Sequence, residues 1–199
     1  MIDWHSISEK IKNYSFTITL DAKNTATLRP LMQGDVDLLT TFLQKLSPRT
    51  RLFFTYDSFD RRMAETLCAD INKYDKLRFI LETDKTKEII GIFEFSMDLV
   101  PDDIARYQAA GIKLNVPKVC RYGPALLDKY QGKGLGQAVF AKLVPVIRKT
   151  GKDTIILFGG VKSDNSNAIK HYLKLGFGKS AEFSNQSGEK CLDMVLRLV

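Results

Sequence analysis

A chain of 199 residues, 44% of them hydrophobic, is long enough for one sizeable core and too short for two ordinary domains, so a single domain spanning 1–199 is expected. Thirty Lys and Arg against 23 Asp and Glu leave a formal charge of +7, which favours an anionic partner: nucleic acid, a membrane surface or a phosphorylated cofactor. Three scattered cysteines, Cys68, Cys120 and Cys191, with only His5 and His171 beside them, argue for neither a disulfide framework nor a zinc site; MIDWHSISEKIKNYSF lacks the pattern of a signal peptide, and no apolar run nears the ~18 residues of a membrane span, so a soluble, cytoplasmic protein is expected.

Residues 1–22 read as an N-terminal extension. Apolar and polar residues alternate on either side of DAKN within 15–31, which predicts two short strands joined by a turn, the fold proper beginning with the second. Val36, Leu39, Leu43 and Leu46 then recur at helical spacing behind Asp35, a candidate cap. Ser47-Pro48 suits the start of another helix, with serine at the cap and proline at the first position. Met63, Leu67 and Ile71 repeat the spacing, so 35–74 is predicted helical in two or three pieces.

The period then changes. KLRFILETD and KEIIGIFEFSMD, rich in β-branched and aromatic residues around a polar turn, predict an antiparallel hairpin. Residues 99–117, with two prolines, a short helix-compatible piece and a glycine, read as an inserted excursion. KVCRYGPALLD resumes as a strand and leads through a glycine-rich loop into a helix with the inner stripe Leu135, Val139, Leu143 and Val146. Pro145 is expected to kink or shorten that helix, because it removes a donor and crowds the preceding turn. DTIILFGGV reads as a strand covered on both faces. DNSNAIKHYLKLG reads as a helix capped by Gly176, and FGKSAEF and KCLDMVLRLV as two final strands.

The loop YQGKGLGQ raises the first chemical possibility. A helix N-terminus offers unpaired N–H groups and the positive end of the helix dipole, and side chains would block close approach. With glycine at 132, 134 and 136, phosphate oxygens can meet the amides of 132–137, while Gln131 and Lys133 add a polar and a cationic contact. The spacing is neither a dinucleotide fingerprint, since Val139 or Gln137 stands where the third glycine belongs, nor a P-loop, since Gly134 follows Lys133. A tight strand-to-helix turn is the competing reading.

Gln131-x-x-Gly134-x-Gly136 has the Q/R-x-x-G-x-G/A form that binds the coenzyme A pyrophosphate in the GNAT acyltransferase superfamily, and Asn165, Ala168, Tyr172, Gly176 and Phe177 match the pattern of that family's next helix. The chain resembles this superfamily from residue 25 to about 198. Its opening, ATLRPLMQGDVDLLTTFLQKLSPRTRLFF, is similar to bacterial and archaeal protein-lysine acetyltransferase domains.

The resemblance implies a mixed α/β GNAT fold: a mostly antiparallel sheet flanked by helices, with two splayed parallel strands at 119–127 and 154–160. It implies acetyl-CoA as cosubstrate, without metal. The pantetheine arm would face Ala125, Leu126 and Leu127, and the pyrophosphate would meet Gln131, Gly132, Lys133, Gly134, Leu135, Gly136 and Gln137. Leu127 is the expected backbone donor to the oxyanion, Tyr172 the acid that protonates the departing thiolate, and Asn165 a helix cap or a contact to the arm.

The base departs from the family pattern. Arg121 stands where the lysine acetyltransferase domains carry glutamate, and a guanidinium cannot accept a proton. Glu94 and Asp98 are the substitutes, or water relays the proton; Glu94 also fits a solvent-facing position or an ion pair to Arg121, and Arg121 itself can hold a substrate carboxylate. His171 reads as a surface residue and Cys120 as packing. The implied acceptor is an amine of a small molecule, a protein lysine or a protein N-terminus, walled by residues 47–62 and 99–117. C-terminal edge strands allow a homodimer. A non-catalytic acyl-CoA sensor is the alternative; a nucleic-acid-binding module ranks below it, because Lys and Arg form no stripe.

Overall fold

The computed structural model describes residues 11–54, 56–69 and 76–198. The chain gathers into two compact units, one of residues 2–94 and 124–142, the other of 95–123 and 143–199.

In the first unit β1 (Phe16–Asp21) and β2 (Asn24–Pro30) form an antiparallel hairpin, from Phe16 opposite Leu28 to Asp21 opposite Asn24. The sheet therefore begins at Phe16, inside the stretch read as an extension. β2 pairs antiparallel with β3 (Lys76–Thr83), and a turn at which the Thr83 amide reaches the Glu88 carbonyl at 2.9 Å leads to β4 (Ile89–Ser96). Both strands are buried almost throughout, and the charged residues that interrupt their apolar runs are ion-paired, Arg78 with Glu94 and Glu82 with Arg29.

Helix α1 (Val36–Lys45) buries Leu39, Phe42 and Leu43. Asp35 does not cap it. Its carboxylate accepts instead from both terminal nitrogens of Arg29, at 2.7 and 2.8 Å, and from the Met32 amide at 2.8 Å. A charged fork offers a carboxylate more than a single cap amide does. Helix α2 (Pro48–Arg51) begins as its sequence dictates, with Ser47 Oγ accepting from the Thr50 amide at 3.2 Å and Pro48 in the first turn. Helix α3 (Arg61–Ala69) buries Leu67; Ile71, expected to extend its stripe, lies outside the described residues.

The second unit starts with the last residues of β4 and most of β5 (Val119–Leu126), which pairs in parallel with β6 (Thr154–Leu157). β6 runs antiparallel to β9 (Lys190–Arg197), which also takes β7 (Val161–Lys162) and β8 (Gly178–Ser184). The apolar run expected as one long strand is thus two short ones, parted where Gly159 and Gly160 adopt left-handed φ of 58° and 71°.

The excursion carries α4 (Pro101–Ala109), whose Tyr107 is fully buried against Val119 and Ile156. Arg106 fastens it: its guanidinium takes both oxygens of Asp193 on β9, at 2.7 and 3.0 Å, and Asp103 at 2.8 Å, over the ring of Phe183. Helix α5 (Leu135–Lys149) continues four residues past Pro145, so the proline does not shorten it. Pro145 is exposed while Leu143, Val146 and Ile147 are buried, so water can meet the carbonyl that lost its donor and the apolar stripe keeps its packing. Helix α6 (Ser166–Lys174) ends at Gly176, left-handed at φ 91°.

Candidate active site

The glycine loop is built almost entirely of backbone. β5 passes into a turn at Asp128–Tyr130, and α5 begins at Leu135. Gly132 and Gly134 have φ of 72° and 79°, and a Cβ on either would meet nothing within 4 Å, so the backbone faces open space in a conformation that side chains disfavour. The Gln137 and Ala138 amides both take the Gly134 carbonyl, at 3.0 and 3.1 Å, which leaves the preceding amides at the helix mouth for an external acceptor. Lys133 and Gln137 are exposed; Leu135 and Gly136 are buried beneath them.

Gln131 serves the loop's shape. Its side-chain amide donates to the Leu126 carbonyl at 2.9 Å and to Asp128 Oδ1 at 3.2 Å, and the same carboxylate oxygen receives Thr50 Oγ1 at 2.5 Å. The sequence reading missed Thr50 and Asp128. Their contact spans 78 positions and leaves no local pattern.

β5 also corrects the expected oxyanion donor. The Leu127 amide donates to the Ile90 carbonyl at 3.0 Å and is therefore already engaged. Peptide groups alternate along a strand, so Ala125 and Leu127 turn toward β4, while Leu126 turns to the opposite edge, as Tyr122 does. At that edge the Tyr122 carbonyl accepts from the Phe158 amide at 3.2 Å, and Pro124 has no N–H to offer. Leu126 is the next donor along it. Leu126 also packs over Gly91, where a Cβ would lie 2.6 Å from its Cδ2.

Of the two candidate side chains for proton transfer, Glu94 lies in the first unit and Tyr172 in the second. Glu94 Oε2 forms an ion pair with Arg78 Nε, and Arg78 is buried. Beside this pair stands Tyr56, whose phenol pKa is pushed up by burial and then by the charge of Glu94. Tyr56 packs with Phe54 and Phe59 at centroid distances of 5.2 and 6.0 Å, and Arg51 sits 5.0 Å above Phe59. The expected acceptor wall at 47–62 is therefore an aromatic cluster.

Tyr172 projects from α6 against Phe177, edge to face at 5.5 Å, and burial raises its pKa above the ordinary phenol value. The Tyr122 phenol is raised as well, first by burial and then by Tyr172. Asn165 caps α6, its Oδ1 accepting from the Ala168 amide at 3.1 Å. Arg121 donates to Ser96 Oγ at 2.9 Å and to the Asp98 carbonyl at 3.0 Å, and pairs with Asp103 at 3.6 Å. Cys120 is fully buried, its thiol pushed up to about 12 by burial.

A family model described as Acetyltransferase (GNAT) family matches residues 43–177. The chain belongs to this family. Membership indicates N-acetyltransferase chemistry with acetyl-CoA as the typical cosubstrate. A mycothiol acetyltransferase of Renibacterium salmoninarum is 30% identical over 121 residues, covering 58% of this chain and 32% of that protein, so the chain spans about a third of this curated relative. Among solved structures, the GNAT domain of S. lividans PAT superposes with a TM-score of 0.69 at 17% identity, over 94% of this chain and 98% of that one. The ribosomal-protein-S5-alanine acetyltransferase from Vibrio fischeri gives 0.72 at 15% identity, over 92% and 96%. They share the mixed α/β architecture found here. Among the described residues no helix is long and apolar enough to cross a membrane.

Proposed function

We propose that this GNAT protein transfers an acetyl group from acetyl-CoA to a primary amine of a small molecule or of a protein. The observation that carries the reading is the pair of left-handed glycines, Gly132 and Gly134, which open a helix N-terminus to an anionic ligand without a side chain in the way. Bound there, acetyl-CoA supplies the activated thioester. The amides from Gly132 to Gly136 hold its pyrophosphate, Lys133 adds a positive charge, and Ala125 and Leu126 lie along its arm. The Leu126 amide replaces that of Leu127 as the donor to the carbonyl oxygen.

Tyr172 is the acid in this reading. Its raised pKa keeps the phenol protonated at neutral pH, so it gives up its proton only as thiolate charge develops. Glu94 is the base, through the oxygen that Arg78 leaves open. Asn165 acts through α6, which it caps. Arg121, tied to Ser96 and Asp103, holds an acceptor carboxylate only if those bonds are exchanged. Acceptor names as different as mycothiol and an alanine of ribosomal protein S5 among the relatives support a broad amine class. The ion pair on Glu94 favours one second reading, a non-catalytic acyl-CoA sensor.

The test is thiol release from acetyl-CoA across a panel of amines, with Tyr172→Phe in parallel. Turnover should fall by about 10²-fold in the variant, while acetyl-CoA affinity stays within about twofold. Unchanged turnover removes Tyr172 from the mechanism, and saturable cofactor binding with no transfer to any amine favours the sensor.

A further inference from the structure

We infer that the acceptor is a single amine carried beside a bulky apolar group, and that Phe54 and Phe59 select it against polyamines and small polar amines. The inference rests on the reading above, in which the amine comes to the Glu94 oxygen that Arg78 leaves open. Every residue it uses lies in the first unit.

The stretch from α2 to α3 is tied at both ends to groups that the reaction uses. Thr50 Oγ1 donates to Asp128 of the glycine loop at 2.5 Å. On α3 the Leu67 carbonyl accepts from Arg78 Nη1 at 3.4 Å, and Arg78 Nε pairs with Glu94. Between these ties stand Phe54, Tyr56 and Phe59, ring against ring at 5.2, 6.2 and 6.0 Å. All three are half-buried, so they keep apolar surface for a ligand. Glu94 and Arg78 are also the charges that act on the Tyr56 phenol, after burial itself.

Three rings in contact can instead hold a cation over their faces. Arg51 already takes that place: its guanidinium stands 5.0 Å over Phe59, and its Nη2 donates to the Leu43 and Gln44 carbonyls at 3.2 and 2.7 Å. Charge points the same way. Residues 47–62 carry four arginines against two aspartates, and Asp60 is engaged by Ser58 Oγ at 2.8 Å and by the Met63 amide at 3.3 Å. Glu94 is itself paired with Arg78. A second ammonium group would lose its hydration there with no anion to replace it, whereas a phenyl or branched side chain covers the rings and gains from doing so.

The experiment is steady-state kinetics of the full chain at saturating acetyl-CoA with phenylalaninamide, glycinamide, spermidine and a short peptide that begins with phenylalanine. Full burial of a phenyl group shifts an equilibrium by about 10- to 150-fold, and a half-buried wall gives the lower end. Phenylalaninamide should therefore exceed glycinamide and spermidine by at least about tenfold in kcat/KM, chiefly through KM, and Phe54→Ala/Phe59→Ala should bring its advantage over glycinamide within about threefold. If the double variant fails to fold by circular dichroism, Phe59→Ala alone decides, and it should cut that advantage at least about threefold. A faster peptide assigns the apolar group to a protein N-terminus and a faster phenylalaninamide to a free amine; either supports the inference. A preference for spermidine or glycinamide overturns it, as does an advantage that the variants keep. No transfer to any of the four overturns it too, whereas the proposed function falls only if the whole amine panel fails.

Discussion

Residues 128–137 and residues 99–117 each present an irregular stretch of this chain, and they are held by different means. The first is exposed backbone kept in shape by hydrogen bonds from the uncharged side chains of Gln131 and Thr50, to the Leu126 carbonyl and the Asp128 carboxylate, and by two glycines that alone adopt its φ values comfortably. The second is pinned by buried charge: Asp103 and Asp193 are 2% and 1% exposed, and Arg106 bridges them. A loop proposed to offer its own amides to a ligand has to stay bare. An inserted helix that must not move can hold its place with ions, because their mutual attraction offsets the cost of desolvation only when the geometry stays fixed.

Removing one partner of the buried cluster should produce the largest change. Asp193→Ala leaves the Arg106 guanidinium buried without its bidentate partner, and we expect a loss of about 3–5 kcal/mol in urea unfolding. A loss below about 1 kcal/mol would mean that α4 is held by Tyr107 and its apolar neighbours, and the contrast between the two stretches would weaken.

The loop should respond in affinity more than in stability. Thr50→Val removes the hydroxyl that meets Asp128 at 2.5 Å, a bond worth about 0.5–1.5 kcal/mol, so acetyl-CoA should bind roughly two- to tenfold more weakly with the unfolding midpoint little changed. Unchanged affinity would show that Gln131 alone sets the loop's shape.

The smallest effect is one of pH. Burial, then Lys174, lowers the His171 pKa below the ordinary value of 6.5, so the folded protein resists a proton that the unfolded chain accepts. Stability from this group is intact above about pH 6.5 and declines as pH falls through that value toward the lower folded pKa. His171→Gln should flatten the decline below about pH 6.5 in thermal unfolding, and an unaltered slope would assign the acid sensitivity to other groups.

The same contrast explains what could be read in advance. Helical and strand periods reflect local burial, so the motif and most of the elements were visible in one dimension, while the parallel pairing found at 119–122 was what the family resemblance implied for 119–127 and 154–160. What escaped depends on partners far apart in sequence. Asp35 is drawn from its cap by Arg29, itself shared with Glu82 across 53 positions, and Arg106 meets Asp193 across 87. The Leu127 amide was the oxyanion donor that the family resemblance implied. Its direction depends on strand parity relative to Ile90, which no residue type encodes. That Pro145 would not shorten its helix was hidden for a similar reason, since its cost depends on which side of the helix meets water.

The central claim is that Gly132 and Gly134 open a phosphate-binding helix mouth. It is tested most directly by calorimetric titration of acetyl-CoA into the unmodified protein and into Gly132→Val/Gly134→Val. The expected result is micromolar binding that the two valines abolish, with the far-ultraviolet circular dichroism of the variant unchanged. Binding that survives both valines, or no binding by the unmodified protein, would contradict it.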